Sequence, residues 1–511
     1  MAAGQDMAGQ KNMSLRRTFL GHPGGVYLIA AVEVWERFSF YGMRGLLVLF
    51  LIAPATQGGF GWGEGQALRF YGAYIGLAYA APIIGGYLAD HHLGPRRALF
   101  WGAMLMCAGH FLMTGPVLFP WLIGQLHGVP LHALLHSSPD LAMGALATTG
   151  EVAARLAAMA RTAGVSASAL GAAYLSASYS FYLAVGLIVL GTGFFKPSTY
   201  AALGRLYAGD DPHRENGVFL YQIAVNLGAM FSALIAGTLG EKYGWHYGFS
   251  AAGVGMVIGA LIYNWKQNAY LGRIPHMPPA RAHRARHGRR ADLSPAERRR
   301  LLTIAVMGIF SGLYWLAAEQ SGGSINIYAA QHTDRAVLGF EIPATWFQSL
   351  NPFFIVVLTP PAMIVWLRLG RRVNQAQKFG IGFVLTAVGF GLMVGAFFEG
   401  LYAVDGRSAA LWLVGAYLFV TLGELCINSV GLNFVNTYAP LRMVGIVLSF
   451  WFLCTAVANY GSGLVGSLTQ SVPDGAVFGG IAFGCLCAAA LLFIMSKSFS
   501  SWLEAPDGGV K

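Results

Sequence analysis

The chain has 511 residues, of which 56% are hydrophobic and only 11% charged, and its formal net charge is +11. Its mean hydropathy of +0.55 excludes an ordinary soluble enzyme and a disordered protein. A run of about 20 apolar residues is long enough to cross a bilayer as a helix. Twelve such runs begin near positions 26, 69, 98, 179, 217, 245, 301, 350, 378, 409, 443 and 476.

These runs do not alternate between polar and apolar residues as strands do, and lipid offers no hydrogen bonds to backbone groups. The sequence therefore predicts an all-α integral membrane protein with twelve transmembrane helices. Most of the 33 Lys and Arg residues lie in the N-terminus, in the loops after even-numbered spans and in the C-terminus. By the positive-inside rule, both termini are expected in the cytoplasm, and the protein is expected in a cell membrane such as the bacterial inner membrane.

The excess of positive charge is interpreted as a topology signal and as attraction to membrane lipids, and no nucleic-acid partner is expected. The five cysteines lie in apolar runs, where their spacing indicates neither a disulfide framework nor a metal site. The sequence has no phosphate-binding loop. We therefore expect no metal, nucleotide or redox cofactor, and no obligate protein partner is evident.

The first span carries charged and phenolic side chains at three- and four-residue spacing, so on a helix they form one polar stripe. The stripe consists of Glu33, Glu36, Arg37, Tyr41 and Arg44. An ionised group at the centre of a bilayer costs about 2.5–3.5 kcal/mol on insertion scales, so the stripe must face protein or a water-filled cavity. This requirement predicts a functional site.

Two loops in the first half of the chain are distinctive. The loop after the second span contains Asp90, Arg96 and Arg97, and the positive-inside rule explains the two arginines but not the aspartate at the helix end. The loop between the third and fourth spans is long, from about Leu126 to Ser178. Its Ala-rich portion, Glu151 to Ala163, predicts a helix on the membrane surface.

Between the sixth and seventh spans, residues 266–300 form the most hydrophilic and Arg-rich segment of the chain. This composition predicts a cytoplasmic linker. Near its end, Ser294, Pro295 and Glu297 have the spacing of a helix start, which predicts a short helix leading into the seventh span.

The linker divides the chain into two parts with six spans each, residues 1–265 and 301–511. Leu93–Arg97 and Leu369–Arg372 are similar in sequence and follow the second span of their respective parts. A duplicated six-helix unit predicts such an echo.

The segment from Glu33 to Gly42 resembles the first-helix motif of the proton-dependent oligopeptide transporter family, in which two glutamates and Arg-Phe are followed by paired tyrosines. Phe40 stands where the family has the first tyrosine, so one hydroxyl that would contact substrate is missing. The segment from Gly85 to Arg97 resembles the loop motif of the major facilitator superfamily. This resemblance implies that Asp90, Arg96 and Arg97 lock neighbouring helices on the cytoplasmic side.

The similarity to the oligopeptide transporters extends over nearly the whole chain, with matches in the family's order from the second helix to the eleventh. The matching residues are Tyr79, Lys196 in the segment Gly191–Pro197, Asn226, Trp315 with Glu319 and Gln320, Asn351 with Pro352, Glu424 and Trp451. Several matches in the same order are far more specific than any one of them.

The resemblance implies the major facilitator superfamily fold, with the twelve helices as two six-helix bundles. It also implies a proton-coupled symporter that imports di- and tripeptides by alternating access around a midplane site. Two gate pairs are implied, Arg44 with Glu319 on the external side and Lys196 with Glu424 nearer the cytoplasm. The residues implied in proton coupling are Glu33, Glu36, Arg37 and Glu319.

The residue types themselves suit a zwitterionic peptide that bridges the two halves of the chain. Arg37, Arg44 and Lys196 offer cations to a carboxylate, whereas the glutamates of the second half can bind an ammonium group. Aromatic walls accept varied side chains, and amides can bond the peptide backbone. The expected substrate-binding residues are Arg37, Tyr41, Arg44, Tyr79, Lys196, Asn226, Trp315, Glu319, Asn351, Glu424 and Trp451.

Other functions remain open at this point. A transporter of the same family could carry nitrate, amino acids or another small solute, because the Glu-Glu-Arg motif indicates proton coupling and not the substrate. A sensor that transports nothing could use the same fold. A membrane-embedded hydrolase would need a nucleophile beside a base, and His110 in the third span is interpreted as a polar contact, so no enzyme activity is expected.

Overall fold

The computed structural model describes residues 21–138, 141–144, 150–207, 211, 213–271, 293–428, 431–440 and 443–503. Almost all of these residues are helical. The helices are α1 Gly24–Ile52, α2 Glu64–Leu88, α3 Pro95–Leu112, α4 Gly115–His127, α5 Leu131–Leu135, α6 Gly150–Ala163, α7 Ala167–Gly204, α8 Arg214–Thr238, α9 Trp245–Leu271, α10 Pro295–Ala318, α11 Ser324–Gln331, α12 Leu350–Leu369, α13 Gln375–Tyr402, α14 Ala410–Asn428, α15 Gly431–Tyr438, α16 Val444–Gly466 and α17 Asp474–Leu503.

Short turns and strands extend or connect these helices. Wide helical turns extend α2 over Ala89–Leu93 and α8 over Leu239–Tyr243. Tight 3-10 turns cover Ala55–Gln57, Glu319–Ser321, Ala344–Ser349, Gly370–Arg372 and Ser467–Gln470. The strands are β1 Thr333–Asp334, β2 Ala336–Val337, β3 Phe340–Glu341 and β4 Ser408–Ala409, with β1 parallel to β4 and β2 antiparallel to β3.

The number of spans agrees with the sequence prediction. By length and composition, 10 helices of the described residues can cross a membrane, and α3 with α4, bent by 58°, make an eleventh if the pair is one span. Helix α1 has 29 residues, which is long enough to cross, although its charged residues lie in the middle of the helix. Including α1, the described part of the chain contains the twelve predicted spans.

Loops that follow odd-numbered spans meet at one end of the bundle, which we call the outer side. Trp245 donates a hydrogen bond to the carbonyl of Gln57 at 3.1 Å, and β1 pairs with β4. The outer side includes residues 53–63 and 332–349. We call α1–α9 the N-terminal half and α10–α17 the C-terminal half.

The predicted helix start before the seventh span is confirmed. Ser294 accepts a hydrogen bond from the Glu297 backbone at 3.1 Å, and its own N–H donates to the Glu297 carboxylate at 2.9 Å. This capping box satisfies two N–H groups that a helix start leaves free. Helix α9 extends to Leu271 and α10 begins at Pro295, so both helices reach into the predicted linker of residues 266–300. Residues 272–292 lie outside the described residues, and the division into two six-span domains remains a prediction.

The segment between the third and fourth spans contains less loop than predicted. Helix α7 begins at Ala167, well before the predicted end of the loop at Ser178, and runs 38 residues to Gly204. Its first turns contain no proline to stop the helix, so α7 continues beyond the apolar run. Helix α6 confirms the Ala-rich helix. Its Leu156 and Ala160 are buried in the N-terminal core, so this helix packs on protein.

Helix α1 lies inside the N-terminal half, packed between α8 and α9, while α2 packs on α7 and, across the halves, on α16. Glycine makes the α2–α7 approach possible. A Cβ atom on Gly85 would overlap the carbonyl of Gly193 and lie 2.9 Å from the nitrogen of Phe194. Close backbone packing through small residues is how membrane helices gain van der Waals contact.

We therefore predict that Gly85→Ala destabilises the protein by about 1–3 kcal/mol, because the added methyl group must push α2 away from α7. The matched control is Gly186→Ala, also within α7, where a Cβ atom has nothing within 4 Å. Thermal unfolding of both variants in detergent measures the difference. Equal melting temperatures for the two variants would contradict the proposed tight packing at Gly85.

Candidate functional site

The polar stripe of α1 forms a buried charge cluster. Arg37 Nε lies 2.9 Å from Glu33 Oε1 and also contacts Glu36 Oε2. The exposed fractions are 2% for Glu33, 0% for Glu36 and 6% for Arg37. Three- and four-residue spacing places both carboxylates beside the guanidinium on one helix face. With all three groups ionised, one cation faces two anions, so a single added proton neutralises the cluster.

Helix α8 holds this cluster in place through residues that the sequence did not indicate. A Cβ atom on Gly228 would lie 2.8 Å from Arg37 Cβ and would overlap the carbonyl of Val34, so only glycine lets α8 come this close. The buried Tyr221 hydroxyl interacts with the Glu33 carboxylate. Gly228 is the residue that the sequence could have indicated, because it stands two positions after the predicted Asn226.

A second cluster joins the two halves near the outer side. Arg44 Nη2 lies 2.9 Å from Glu319 Oε2 and donates to Ser321 Oγ at 2.9 Å. Arg44 Nε donates to the Tyr71 hydroxyl at 2.9 Å, and that hydroxyl donates to Glu319 Oε2 at 3.0 Å. The predicted partners Arg44 and Glu319 are therefore in contact, whereas Tyr71 was missed because nothing in the sequence of α2 distinguishes it from its neighbouring tyrosines.

Lys196 has aromatic partners. Its Nζ lies 4.6 Å from the centre of the Phe40 ring and 4.3 Å from that of Tyr79. Arg37 Cζ lies 5.3 Å from the same Phe40 ring, which is 2% exposed. Phe40, at the position where the family has a tyrosine, therefore contacts two cations and is not open to a substrate. Among the described residues, no carboxylate lies within ion-pair distance of Lys196, which is itself partly exposed.

Glu424 is bound by amides on the other side of the molecule. Asn351 Nδ2 donates to Glu424 Oε2 at 2.8 Å and to Thr421 Oγ1 at 3.0 Å. Asn428 donates to Glu424 Oε1 at 3.0 Å. In this conformation Lys196 and Glu424 each have partners other than one another, and their pairing remains a prediction.

The remaining predicted site residues differ in their exposure. Tyr41, Tyr79 and Trp315 are partly exposed, whereas Asn226 and Trp451 are buried. Asn226 Nδ2 donates to the carbonyl of Gln222, one turn earlier in α8, at 2.8 Å. The Asn226 amide nitrogen is therefore occupied within its own helix.

The loop motif after the second span connects α3 to α9. Arg96 is buried, and its Nη2 donates to Gln267 at 3.1 Å and to Asn268 at 2.6 Å. Asp90 and Arg97 are exposed. No group of three or more His, Cys, Asp and Glu side chains within the described ranges could hold a metal ion.

The membrane-length helices around buried charges define a multi-pass membrane transporter of the major facilitator superfamily fold, and solved structures agree. The crystal structure of a mutant of a peptide transporter POT in complex with alafosfalin superposes with a TM-score of 0.77. The two sequences are 26% identical, and the match covers 97% of this chain and 98% of that one. The predicted fold class is thus confirmed.

The chain belongs to the POT family, whose sequence model matches residues 96–281 and 280–481. The peptide transporter YePEPT of Yersinia enterocolitica is 30% identical over 88% of this chain and 88% of its own length. The di-/tripeptide transporter of Lactococcus lactis subsp. cremoris is 27% identical, over 87% of this chain and 89% of its own. These comparisons confirm the resemblance that the motifs indicated.

Tyr71→Phe is expected to weaken the cluster around Arg44, because it removes a hydroxyl that bonds both Arg44 and Glu319. Hydrogen bonds to charged groups contribute about 1.5–3 kcal/mol, so thermal unfolding in detergent should show a clear loss of stability. Tyr314→Phe is the matched control, since that buried hydroxyl donates to the neutral carbonyl of Val420 at 3.2 Å. A smaller loss for Tyr71→Phe than for Tyr314→Phe would contradict the central position of Tyr71.

Proposed function

We propose that the protein is a proton-coupled symporter that imports di- and tripeptides by alternating access. The POT family membership and the names of the related transporters support this function. The observation that carries it is a separation of charge between the halves. Within the described part of the chain, no carboxylate lies within ion-pair distance of the Lys196 ammonium group in the N-terminal half, and the Glu424 carboxylate in the C-terminal half accepts hydrogen bonds from the amides of Asn351 and Asn428.

A peptide zwitterion fits this separation. Its carboxylate can form charge-assisted hydrogen bonds with Lys196, and its ammonium group can bind Glu424. Such a ligand bridges two halves that must rock against each other during transport. The partly exposed rings of Tyr41, Tyr79 and Trp315 supply walls that accept different side chains.

Proton coupling is assigned to the cluster of Glu33, Glu36 and Arg37. With every group ionised, the cluster has one more negative than positive charge in an environment of low dielectric constant. Protonation of one carboxylate removes this excess and frees Arg37 to bind elsewhere. Glu319 is assigned a similar role, because its protonation weakens the contact with Arg44 that joins the halves.

If Arg44 and Glu319 form the external gate, that gate is closed in this conformation. Arg44 and Glu319 are in contact, whereas Lys196 and Glu424, the proposed cytoplasmic pair, are separate. The proposed location is a cell membrane, the bacterial inner membrane in particular, with both termini in the cytoplasm. Small peptides and protons are the proposed partners, together with membrane lipids, and no catalytic activity is proposed.

The function is tested by counterflow in proteoliposomes. Purified protein is reconstituted with unlabelled dialanine inside, and uptake of labelled dialanine is measured without a proton gradient. We expect exchange that dialanine and a tripeptide inhibit and that single amino acids and nitrate do not. If dialanine is not exchanged, exchange of labelled nitrate or of a labelled amino acid in the same liposomes would assign the protein to another substrate class. No exchange of any of these solutes would favour a sensor.

Glu33→Gln and Glu36→Gln should each abolish uptake driven by a proton gradient and leave counterflow intact. Counterflow needs binding and reorientation but no net movement of protons, so the two assays separate coupling from folding. Glu151→Gln, on the exposed surface of α6, is the control and should retain both activities. Full accumulation of dialanine by both cluster variants would refute the role assigned to these carboxylates.

Lys196→Ala should reduce the affinity for dialanine by about 10- to 100-fold, which is the effect of one hydrogen bond to a charged group. Uptake at low dialanine concentration should therefore be lost. Glu424→Ala should have a similar effect through the peptide ammonium group. Lys378→Ala is the matched control, because that ammonium also lies against an aromatic ring, 5.1 Å from the centre of Trp366, and lies outside the site. Wild-type uptake by Lys196→Ala would show that the substrate site is elsewhere.

A further inference from the structure

A second contact between the halves lies at the outer side, away from the cluster around Arg44. Glu241, in the turn that ends α8, accepts hydrogen bonds from the backbone nitrogen of Ala344 at 2.8 Å and from that of Thr345 at 2.9 Å. It also accepts from Thr345 Oγ1 at 2.6 Å. Both donors belong to the tight turn Ala344–Ser349 that leads into α12.

Neighbouring contacts reinforce this arrangement. Trp346 Nε1 donates to Thr238 Oγ1 at 2.8 Å, again across the halves. A Cβ atom on Gly237 would lie 2.8 Å from Thr345 Cβ, so α8 and the turn are closely packed. Arg335 Nη1, 3.9 Å from Glu241 Oε2, adds a positive charge to the same carboxylate.

The chemistry of this contact makes it favourable. The first backbone N–H groups of a helical segment have no partner within that segment. A carboxylate satisfies them well, because its hydrogen bonds are charge-assisted and because the start of a helical segment carries partial positive charge. Most such caps come from the residue just before the helix. Here the cap comes from more than 100 residues away, in the other half of the molecule.

From this geometry we infer that Glu241 is a latch that holds the outer side closed. This inference rests on the alternating access proposed above. When the outer ends of α8 and α12 separate, the carboxylate must leave the backbone of Ala344 and Thr345, and water takes its place. Glu241 is thus a positioning residue that sets the balance between the two conformations and does not itself touch the substrate.

The latch is tested by hydrogen–deuterium exchange of the full chain in lipid nanodiscs, without peptide. Glu241→Gln removes the negative charge and should shift the equilibrium towards the outward-open form by about tenfold, the effect of one charge-assisted hydrogen bond. We expect faster exchange at outer residues 53–63 and 319–331. We also expect slower exchange at the inner end of α7 around Lys196, where the two halves then close.

The opposite changes on the two sides distinguish a latch from a local helix cap. Exchange that rises only in residues 344–349 would overturn the inference, because a local cap loosens only its own turn. If Glu241→Gln folds poorly, Thr345→Val is the second variant, because it keeps the side-chain volume and removes one hydrogen bond to Glu241. It should give the same pattern of exchange with a smaller shift. Glu151→Gln, a carboxylate on the outer side whose partner lies in its own helix, should leave exchange unchanged.

The hydrogen–deuterium exchange test does not depend on which substrate the protein carries. If wild-type protein fails in dialanine counterflow but Glu241→Gln shows the opposite changes in exchange, the latch stands and the proposed peptide transport fails. If counterflow succeeds and exchange in both latch variants matches the wild type, the transport proposal stands and the latch is refuted.

Discussion

An ionised side chain inside a membrane needs an opposite charge, hydrogen-bond partners or a water-filled cavity. The protein meets this requirement differently at Arg37, Arg44 and Lys196. Arg37 has its counter-ions on the same helix, so this contact can persist while the helix moves as a unit. Arg44 has its counter-ion on another span, so its contact depends on how the halves are placed. Lys196 lies on aromatic faces and remains available to a ligand. The three proposed roles follow from these three kinds of partner.

The position of α1 inside its half makes these contacts possible. Ser232 of α8 donates a hydrogen bond to the carbonyl of Phe38 at 2.6 Å, and Ser39 donates to the carbonyl of Ala252 in α9 at 2.7 Å. Both hydroxyls are buried, so each bond replaces one that water would otherwise make. With Gly228 against Arg37, these contacts fix the rotation of α1 about its axis. Fixing this rotation keeps the carboxylates turned towards the guanidinium.

Sequence reasoning predicted those parts of the structure that depend on local spacing. The polar stripe, the helix start at Ser294 and the spans all follow from residues a few positions apart, and the contact of Arg44 with Glu319 followed from the family motifs. Tyr71 and Glu241 were not found, because their partners lie far along the chain and neither belongs to a recognisable pattern. The early start of α7 was missed because hydropathy marks the membrane-embedded part of a helix and not its extension beyond the membrane.

The aromatic cradle of Lys196 has a consequence for how the transporter responds to acidity. The faces of Phe40 and Tyr79 attract a cation through their quadrupoles, which do not change when protons are added. A carboxylate in the same place would lose its attraction on protonation and would regain it afterwards as a competitor for the lysine. A rise or fall in proton concentration therefore acts on the titratable groups and leaves the faces of the two rings unaltered. The carboxylate cluster and the aromatic cradle of Lys196 thus differ in chemistry, although both include a cation that lies against the Phe40 ring.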